Sequence, residues 1–250
     1  MPTILITGCS SGFGLDTARH FLAEGWTVIA TMRTPKPDLL PASDRLTILP
    51  LDVTDPASIA AAVAAAGEID VLVNNAGIGW LNAVEGTPIP VVRDIFETNT
   101  IGTIAMIQAV LPQFRTRRAG VIINVTSSVT LKNYDLLSVY TASKAAVNAL
   151  TEVMALELAP FGIRAHVVLP GQAPGTAFAA NARARLAQEG GFPEPYAEMI
   201  QAVFARLTSG SDDEKTRPED VTAAIWRVAT DPAAPMRLPA GADAVALFKG

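Results

Sequence analysis

Short apolar runs rich in β-branched residues alternate along the chain with longer, alanine-rich amphipathic stretches. Residues 3–6, 27–31, 46–51, 69–73, 121–125 and 164–169 are predicted strands, and 13–24, 56–66, 90–118 and 138–160 predicted helices. Several strands, such as Val121-Ile122-Ile123, are continuously apolar rather than alternating, the pattern of strands covered on both faces by helices. Such alternation predicts an α/β fold, a doubly wound parallel sheet in three αβα layers. Pro50 cannot donate to a ladder, so the third strand belongs at an edge, where the strand order 3-2-1-4-5-6 puts it. After Leu169 the alternation lapses. Residues 170–217 carry two short helical stretches broken at 190–195 and 209–214, too long for an ordinary connection. We expect a mobile, poorly packed substrate lid over about 172–215. A further helix opens at Arg217-Pro218 and runs to about Thr230, and the irregular tail from Ala233 has room for one short strand. Residues 1–250 read as a single domain.

Composition narrows the function classes. Half of the 250 residues are hydrophobic and 17% are charged, which excludes intrinsic disorder. The net charge of −5 argues against nucleic acid as a partner. One cysteine and two histidines leave no disulfide framework and argue against a metal site. No apolar run reaches the ~18 residues of a membrane span, and the N-terminus lacks the basic start of a signal peptide. A cytoplasmic protein acting on a small molecule is the expectation.

Three motifs carry chemistry. Thr7-Gly8-Cys9-Ser10-Ser11-Gly12-Phe13-Gly14 follows the first strand and opens a helix. Its glycines let backbone approach a pyrophosphate at the helix N-terminus, where free N–H groups favour anions, and Ser10 and Ser11 add hydroxyl donors. The spacing is G-x-x-x-G-x-G, and a plain strand–helix turn is the competing reading. Asn74-Asn75-Ala76-Gly77 ends the fourth strand at the sheet edge where ligands bind, although Asn and Gly also make ordinary turns. Tyr140 and Lys144 stand four apart on one helix face, and an ammonium near a phenol lowers its pKa toward useful acid–base range. Alone, that pair also suits a solvated helix surface.

Together these motifs resemble the short-chain dehydrogenase/reductase superfamily, in its single-domain, Rossmann-type branch, from Thr3 to about Gly171. The resemblance implies a catalytic serine thirteen residues before the tyrosine, which is Ser127 in Ile123-Asn124-Val125-Thr126-Ser127; Ser128 misses by one. It implies a catalytic asparagine, Asn99, and adenine-side contacts at Asp52-Val53. It adds cofactor contacts at Asn74, Ala76 and Gly77, at Tyr140 and Lys144, and at Pro170-Gly171. The family's threonine after Pro-Gly arrives one residue late, as Thr176. Tyr140 would pass a proton to or from the substrate oxygen, and Ser127 would hydrogen-bond that oxygen. Lys144 would lower the phenol pKa and hold ribose, and Asn99 would hold a water leading to solvent. The acidic residue that NAD-users carry at the end of the second strand is Met32 here, followed by Arg33. A guanidinium there suits a 2′-phosphate, so NADP(H) is the expected cofactor, with NAD(H) possible.

The expected activity is interconversion of an alcohol and a carbonyl on an apolar small molecule. Phe178, Leu186, Phe192, Tyr196, Met199 and Phe204 supply an apolar cleft, or else simply pack the lid on the body. The alternative is a silent dinucleotide-binding sensor or scaffold, which would be expected to lose one of Asn99, Ser127, Tyr140 and Lys144; all four are present. A methyltransferase-like protein has no use for Tyr140 and Lys144. The resemblance also implies a homo-dimer or homo-tetramer paired through helices 90–118 and 138–160. Cys9, His20 and His166 read as packing residues, and Arg115, Arg117 and Arg118 as favourable charges at a helix C-terminus.

Overall fold

Ile4 and Ile6 of the first strand face one side of the sheet and Leu5 the other, and all three are fully buried. Two-sided burial is what an unbroken apolar strand requires. The computed structural model describes residues 1–174, 176–208 and 215–249. Among them, seven parallel strands form one sheet: β1 (Thr3–Ile6), β2 (Thr27–Met32), β3 (Leu46–Pro50), β4 (Val71–Asn74), β5 (Gly120–Val125), β6 (Ile163–Pro170) and β7 (Arg237–Ala240). Their order is β3-β2-β1-β4-β5-β6-β7, so β3 with Pro50 is an edge, as the sequence predicts. The other edge, β7, holds Pro239 opposite Leu169.

Helices α1 (Gly12–Ala23) and α8 (Pro218–Thr230) cover one face. Phe21, Leu22, Val221, Ile225 and Val228 there pack on Val28, Ala30 and Val73. Helices α2 (Pro56–Ala66), α4 (Gly102–Arg117) and α5 (Ser138–Leu158) cover the other, where Met106, Val110, Phe114 and Met154 meet Ile29, Leu72 and Ile122. Small helical residues let these layers approach closely. A Cβ on Gly102 would lie 2.8 Å from the Val53 carbonyl oxygen.

One expectation changes and two are filled in. The helix expected over 90–118 is α3 (Ile89–Phe96) and α4, joined by a wide π-turn at Glu97–Ile101 that carries Asn99. The tail beyond Ala233 is ordered as β7 followed by α9 (Ala242–Lys249). The segment after β6 forms the expected helical lid, α6 (Ala177–Gln188) and α7 (Ala197–Thr208), and α6 buries only Leu186 with most of its other residues exposed. Leu186 is buried with Trp80, Val91, Ile95 and Val139, and Val203 with Ala83 and Leu136. Arg185 pairs with Asp94, and Arg206 with Asp135, across the same seam. Asn82 adds a hydrogen bond to the Gly191 carbonyl. The break expected at 209–214 lies outside the described residues.

The residues read as packing residues behave so. Cys9 is fully buried, its thiol pushed up to about 12 by that burial. His20 lies edge-on to Phe21 and Trp226. His166 hydrogen-bonds the Pro235 carbonyl region, and burial lowers its pKa. Arg117 is paired with Glu68 and Asp70, and Arg118 caps the Pro160 carbonyl.

Candidate active site

The glycine loop is tight for stated reasons. Gly8 (φ +76°) and Gly12 (φ +58°) lie in the left-handed region, where side chains are strained. Gly14 has no room for one: a Cβ would fall 2.5 Å from both the Gly8 carbonyl oxygen and Asn75 Nδ2. Behind the loop, the N-terminus of α1 carries no acidic residue in its first turn, and Ser11 makes no capping bond through its side chain. Ser10 and Ser11 are exposed beside it, and Phe13 packs inward on the core. A backbone cradle at an open helix N-terminus fits the pyrophosphate of a dinucleotide.

Asn75, part of the motif but not named among its cofactor contacts, ties this loop to the end of β4. Its Nδ2 donates to the carbonyls of Thr7 (2.9 Å) and Gly8 (3.2 Å), and Thr7 Oγ1 accepts from the N–H groups of Asn75 and Ala76. The signal was present in the topology, because β1 and β4 are neighbours and their C-terminal ends must meet. Asn74 turns the opposite way. Its Nδ2 donates to Asn124 Oδ1 at 2.9 Å, and Asn124 donates to Thr151 Oγ1 at 2.8 Å, a buried polar chain through the sheet.

Gly77 is where the catalytic candidates converge. A Cβ there would stand 3.1 Å from Asn99 Oδ1 and 3.3 Å from Lys144 Nζ. Asn99 is held by three bonds: Oδ1 accepts from Ile78 N (2.8 Å), and Nδ2 donates to Ile78 O (3.0 Å) and Ser143 Oγ (3.1 Å). Both hydrogens of its amide nitrogen are thus donated to protein atoms. Ser143, also unread in the sequence, donates in turn to the Tyr140 carbonyl at 2.7 Å. Thr100 Oγ1 donates to the Ser143 carbonyl. The π-turn therefore locks onto the first turns of α5, and unusual helical turns of this kind collect at functional positions.

Tyr140 and Lys144 are both buried on α5. Lys144 Nζ donates to the Val125 carbonyl at 3.1 Å, at the end of β5, and burial pulls its pKa down to about 8. Burial pushes the Tyr140 phenol up to about 12, against a smaller lowering influence from Ser127. The expected fall in the phenol pKa is therefore not met in this geometry, because desolvation outweighs its neighbours. The hydroxyl that bears on the phenol is that of Ser127, while Ser128 is buried in the short turn that follows.

The remaining candidates spread along the same sheet edge. Asp52 accepts from both the N–H and the hydroxyl of Thr54, bonds that hold its carboxyl below its usual range, with Arg33 adding a smaller pull. Arg33 is exposed just past Met32. Val53 is buried against Gly102. Gly171 follows Pro170 and donates to Thr216 Oγ1 at 2.9 Å, and Asp243 of α9 accepts from Gln172 N at 2.7 Å. Thr176 stands at the start of α6, with its Cβ 3.4 Å from a Cβ built on Gly12, so it closes over the glycine loop. Among the described residues, no three His, Cys, Asp or Glu side chains cluster as a metal site requires. Among them, no helix is long and apolar enough to cross a membrane.

Comparison with known proteins agrees with this geometry. The family model described as short chain dehydrogenase matches residues 2–187. Human retinol dehydrogenase 8 is 38% identical over 180 residues, 68% of this chain and 58% of its own length, so the match takes in little more than half of that protein. A short-chain dehydrogenase from Streptomyces avermitilis superposes with a TM-score of 0.84 at 34% identity, over 100% of this chain and 91% of the other. The closed form of serine dehydrogenase complexed with NADP+ has a TM-score of 0.78 at 29% identity, covering 95% and 93%. From the glycine loop to the Tyr140–Lys144 helix, the chain belongs to the short-chain dehydrogenase/reductase family.

Proposed function

We propose that this protein interconverts a secondary alcohol and a ketone, or an aldehyde and its alcohol, on an apolar small molecule, with NADP(H) as cofactor and Tyr140 as acid and base. The observation that carries the reading is the buried phenol with Ser127 bearing on it, four residues before a lysine that meets Asn99 at Gly77. A bound nicotinamide dinucleotide supplies or accepts the hydride. The chain handles the proton. At neutral pH the Tyr140 phenol keeps its hydrogen, so in reduction it donates to the carbonyl oxygen as charge develops there. Ser127 steadies that oxygen with a hydrogen bond. In oxidation the proton returns to Tyr140, and Lys144, whose ammonium is already destabilised by burial, supplies positive charge to the phenolate. Asn99 positions Ile78 and α5 around these groups.

The glycine cradle, Asn74-Asn75-Ala76-Gly77, Asp52-Val53, Pro170-Gly171 and Thr176 would hold the dinucleotide along the C-terminal ends of the strands. NADP(H) is favoured by Met32 in place of an acidic residue and by the exposed Arg33 beside Asp52; the NADP+ complex of the similar serine dehydrogenase supports it. NAD(H) is the second cofactor. Retinol in a relative's name supports an apolar substrate. We place the protein in the cytoplasm as a homo-dimer or homo-tetramer, joined through α4 and α5. Val153 and Leu156 of α5 are exposed there, beside a groove lined by Leu111, Leu158 and Phe161.

The test is turnover of NADPH and NADH against aliphatic, aromatic and steroidal ketones, with Tyr140→Phe beside the wild type. Deleting only the phenolic oxygen should lower kcat by at least ~10², the scale of lost acid–base catalysis, with cofactor binding retained. Undiminished turnover in the variant would remove Tyr140 from the mechanism, and binding without turnover of any substrate would favour the silent sensor.

A further inference from the structure

Gly79 lies in the loop after β4, and Phe178 in the first turn of α6. A Cβ on Gly79 would come 2.6 Å from Phe178 Cε1, 2.8 Å from its Cζ and 3.3 Å from Ala182 Cβ. The phenyl ring therefore fills the notch that this glycine leaves. The same ring lies 5.7 Å from the Tyr140 ring, centroid to centroid, inclined at 57°. Tyr140 is only 7% exposed, whereas Phe178 is 39% exposed. Part of the phenyl lies against the Tyr140 ring, and another part of it meets solvent. Its helix is not free to drift, since Leu186 is buried against the body and Arg185 is paired with Asp94.

We infer that Phe178, seated in the Gly79 notch, is the specificity-determining wall of the active site and limits the bulk a carbonyl substrate carries beside Tyr140. This rests on Tyr140 being the acid and base. The physical basis is exclusion of volume. Apolar pockets discriminate through a wall of fixed shape, and a one-methylene mismatch changes kcat/KM by about 10- to 200-fold. A phenyl group held from two sides is a larger obstacle than that. Gly79 is part of the device because its backbone is ordinary, with no positive φ among those recorded for the chain's glycines. An alanine there would add volume without backbone strain and press hardest on the far end of the ring, which must then swing away, with Ala182 Cβ a looser neighbour at 3.3 Å.

Phe178→Ala, Phe178→Leu and Gly79→Ala test the assignment, each compared with wild type on a small cyclic ketone and on a diaryl ketone. The ratio of kcat/KM for the large over the small ketone should rise by at least ~10-fold in Phe178→Ala. It should rise less in Phe178→Leu, and in the same direction in Gly79→Ala. A role confined to packing would lower both activities together and leave the ratio unmoved, which overturns the wall. A second readout needs no turnover. Nitration of Tyr140 by tetranitromethane, followed by peptide mass with Tyr134 as internal reference, should become several-fold faster in Phe178→Ala and Gly79→Ala. An unchanged Tyr140 rate in both variants would overturn the cover. The two possible failures stay separate: faster nitration with no ketone reduced by any variant refutes the carbonyl-reductase reading while the cover stands.

Discussion

Lys144 carries a cost that folding must absorb, and its size is readable from the site. Burial lowers its pKa from 10.5 to about 8, so the folded protein binds this proton more weakly than the unfolded chain. Below pH 8 the lysine is charged in both states, and the buried ammonium destabilises the fold by roughly 3 kcal/mol. Between pH 8 and 10.5 the unfolded chain holds more protons at this group, so the penalty shrinks as pH rises. By pH 9.5 about 2 kcal/mol of it is gone. Lys144→Met keeps the length and apolar stem of the side chain while removing the charge. It also strips the Val125 carbonyl of a donor at 3.1 Å, a loss of about 1–2 kcal/mol. The balance favours the variant at pH 7 by roughly 1–2 kcal/mol, a rise in Tm of about 2–8 °C for a chain of this size. Urea unfolding at pH 7 and at pH 9.5 measures the difference directly, and comparing variant with wild type cancels the other titrating groups, Tyr140 included. The variant should be the more stable at pH 7, should lose about 2 kcal/mol of that advantage by pH 9.5, and should be catalytically impaired throughout. A variant less stable than wild type at pH 7, with a gap that does not move with pH, would show that the ammonium is not strained by burial.

Arg33→Ala should lower kcat/KM for NADP(H) by about 10- to 100-fold, the range of a hydrogen bond to a charged group, and leave NAD(H) nearly untouched. An equal loss on both cofactors would show that Arg33 does not read the 2′-phosphate. Light scattering at micromolar concentration should give two or four times the 26.2 kDa of one chain. A monomer mass would refute pairing through α4 and α5.

The strands were legible because their burial is two-sided and local. A run such as Val121-Ile122-Ile123 has nowhere to go but a covered sheet, and the registers of β1, β4 and β5 follow. Tyr140, Lys144 and Ser127 were legible because their chemistry depends on fixed spacing within one helix or across one strand end. Asn75 and Ser143 were not, for a different reason. Each matters through bonds to residues 44 to 68 positions away, and no local pattern distinguishes an asparagine that ties two strand ends together from one that makes a turn. Leu186 was legible as an apolar residue of the lid, whereas Arg185 and Val203 escaped for a like reason. Gly/Pro breaks mark the ends of helices but say nothing about how firmly the helices between them are seated.

The π-turn is the most instructive miss, because the sequence around it argues for a plain helix. Residues 89–117 keep a helical period on both sides of Glu97–Ile101, with no proline or glycine inside the turn to announce a break. Widening the turn leaves some backbone groups without their usual i−4 partners, a local loss that nothing in those five residues offsets. The compensation is tertiary. Asn99 makes three hydrogen bonds to Ile78 and Ser143, and Thr100 a fourth to the Ser143 carbonyl, all from the turn to two other elements. With each net bond worth about 1 kcal/mol, four of them exceed the local defect. They also do what a regular helix could not. Adding a residue to one turn rotates everything after it by about 100° relative to what precedes it, which lets α3 face Trp80 through Val91 and Ile95 while α4 buries Met106 and Val110 on the sheet. The side chain at the point of rotation is Asn99, whose Oδ1 lies beside Gly77 and accepts from Ile78 N. Thus the strain and the site share a cause: the helix changes its face at the position where Asn99 is needed.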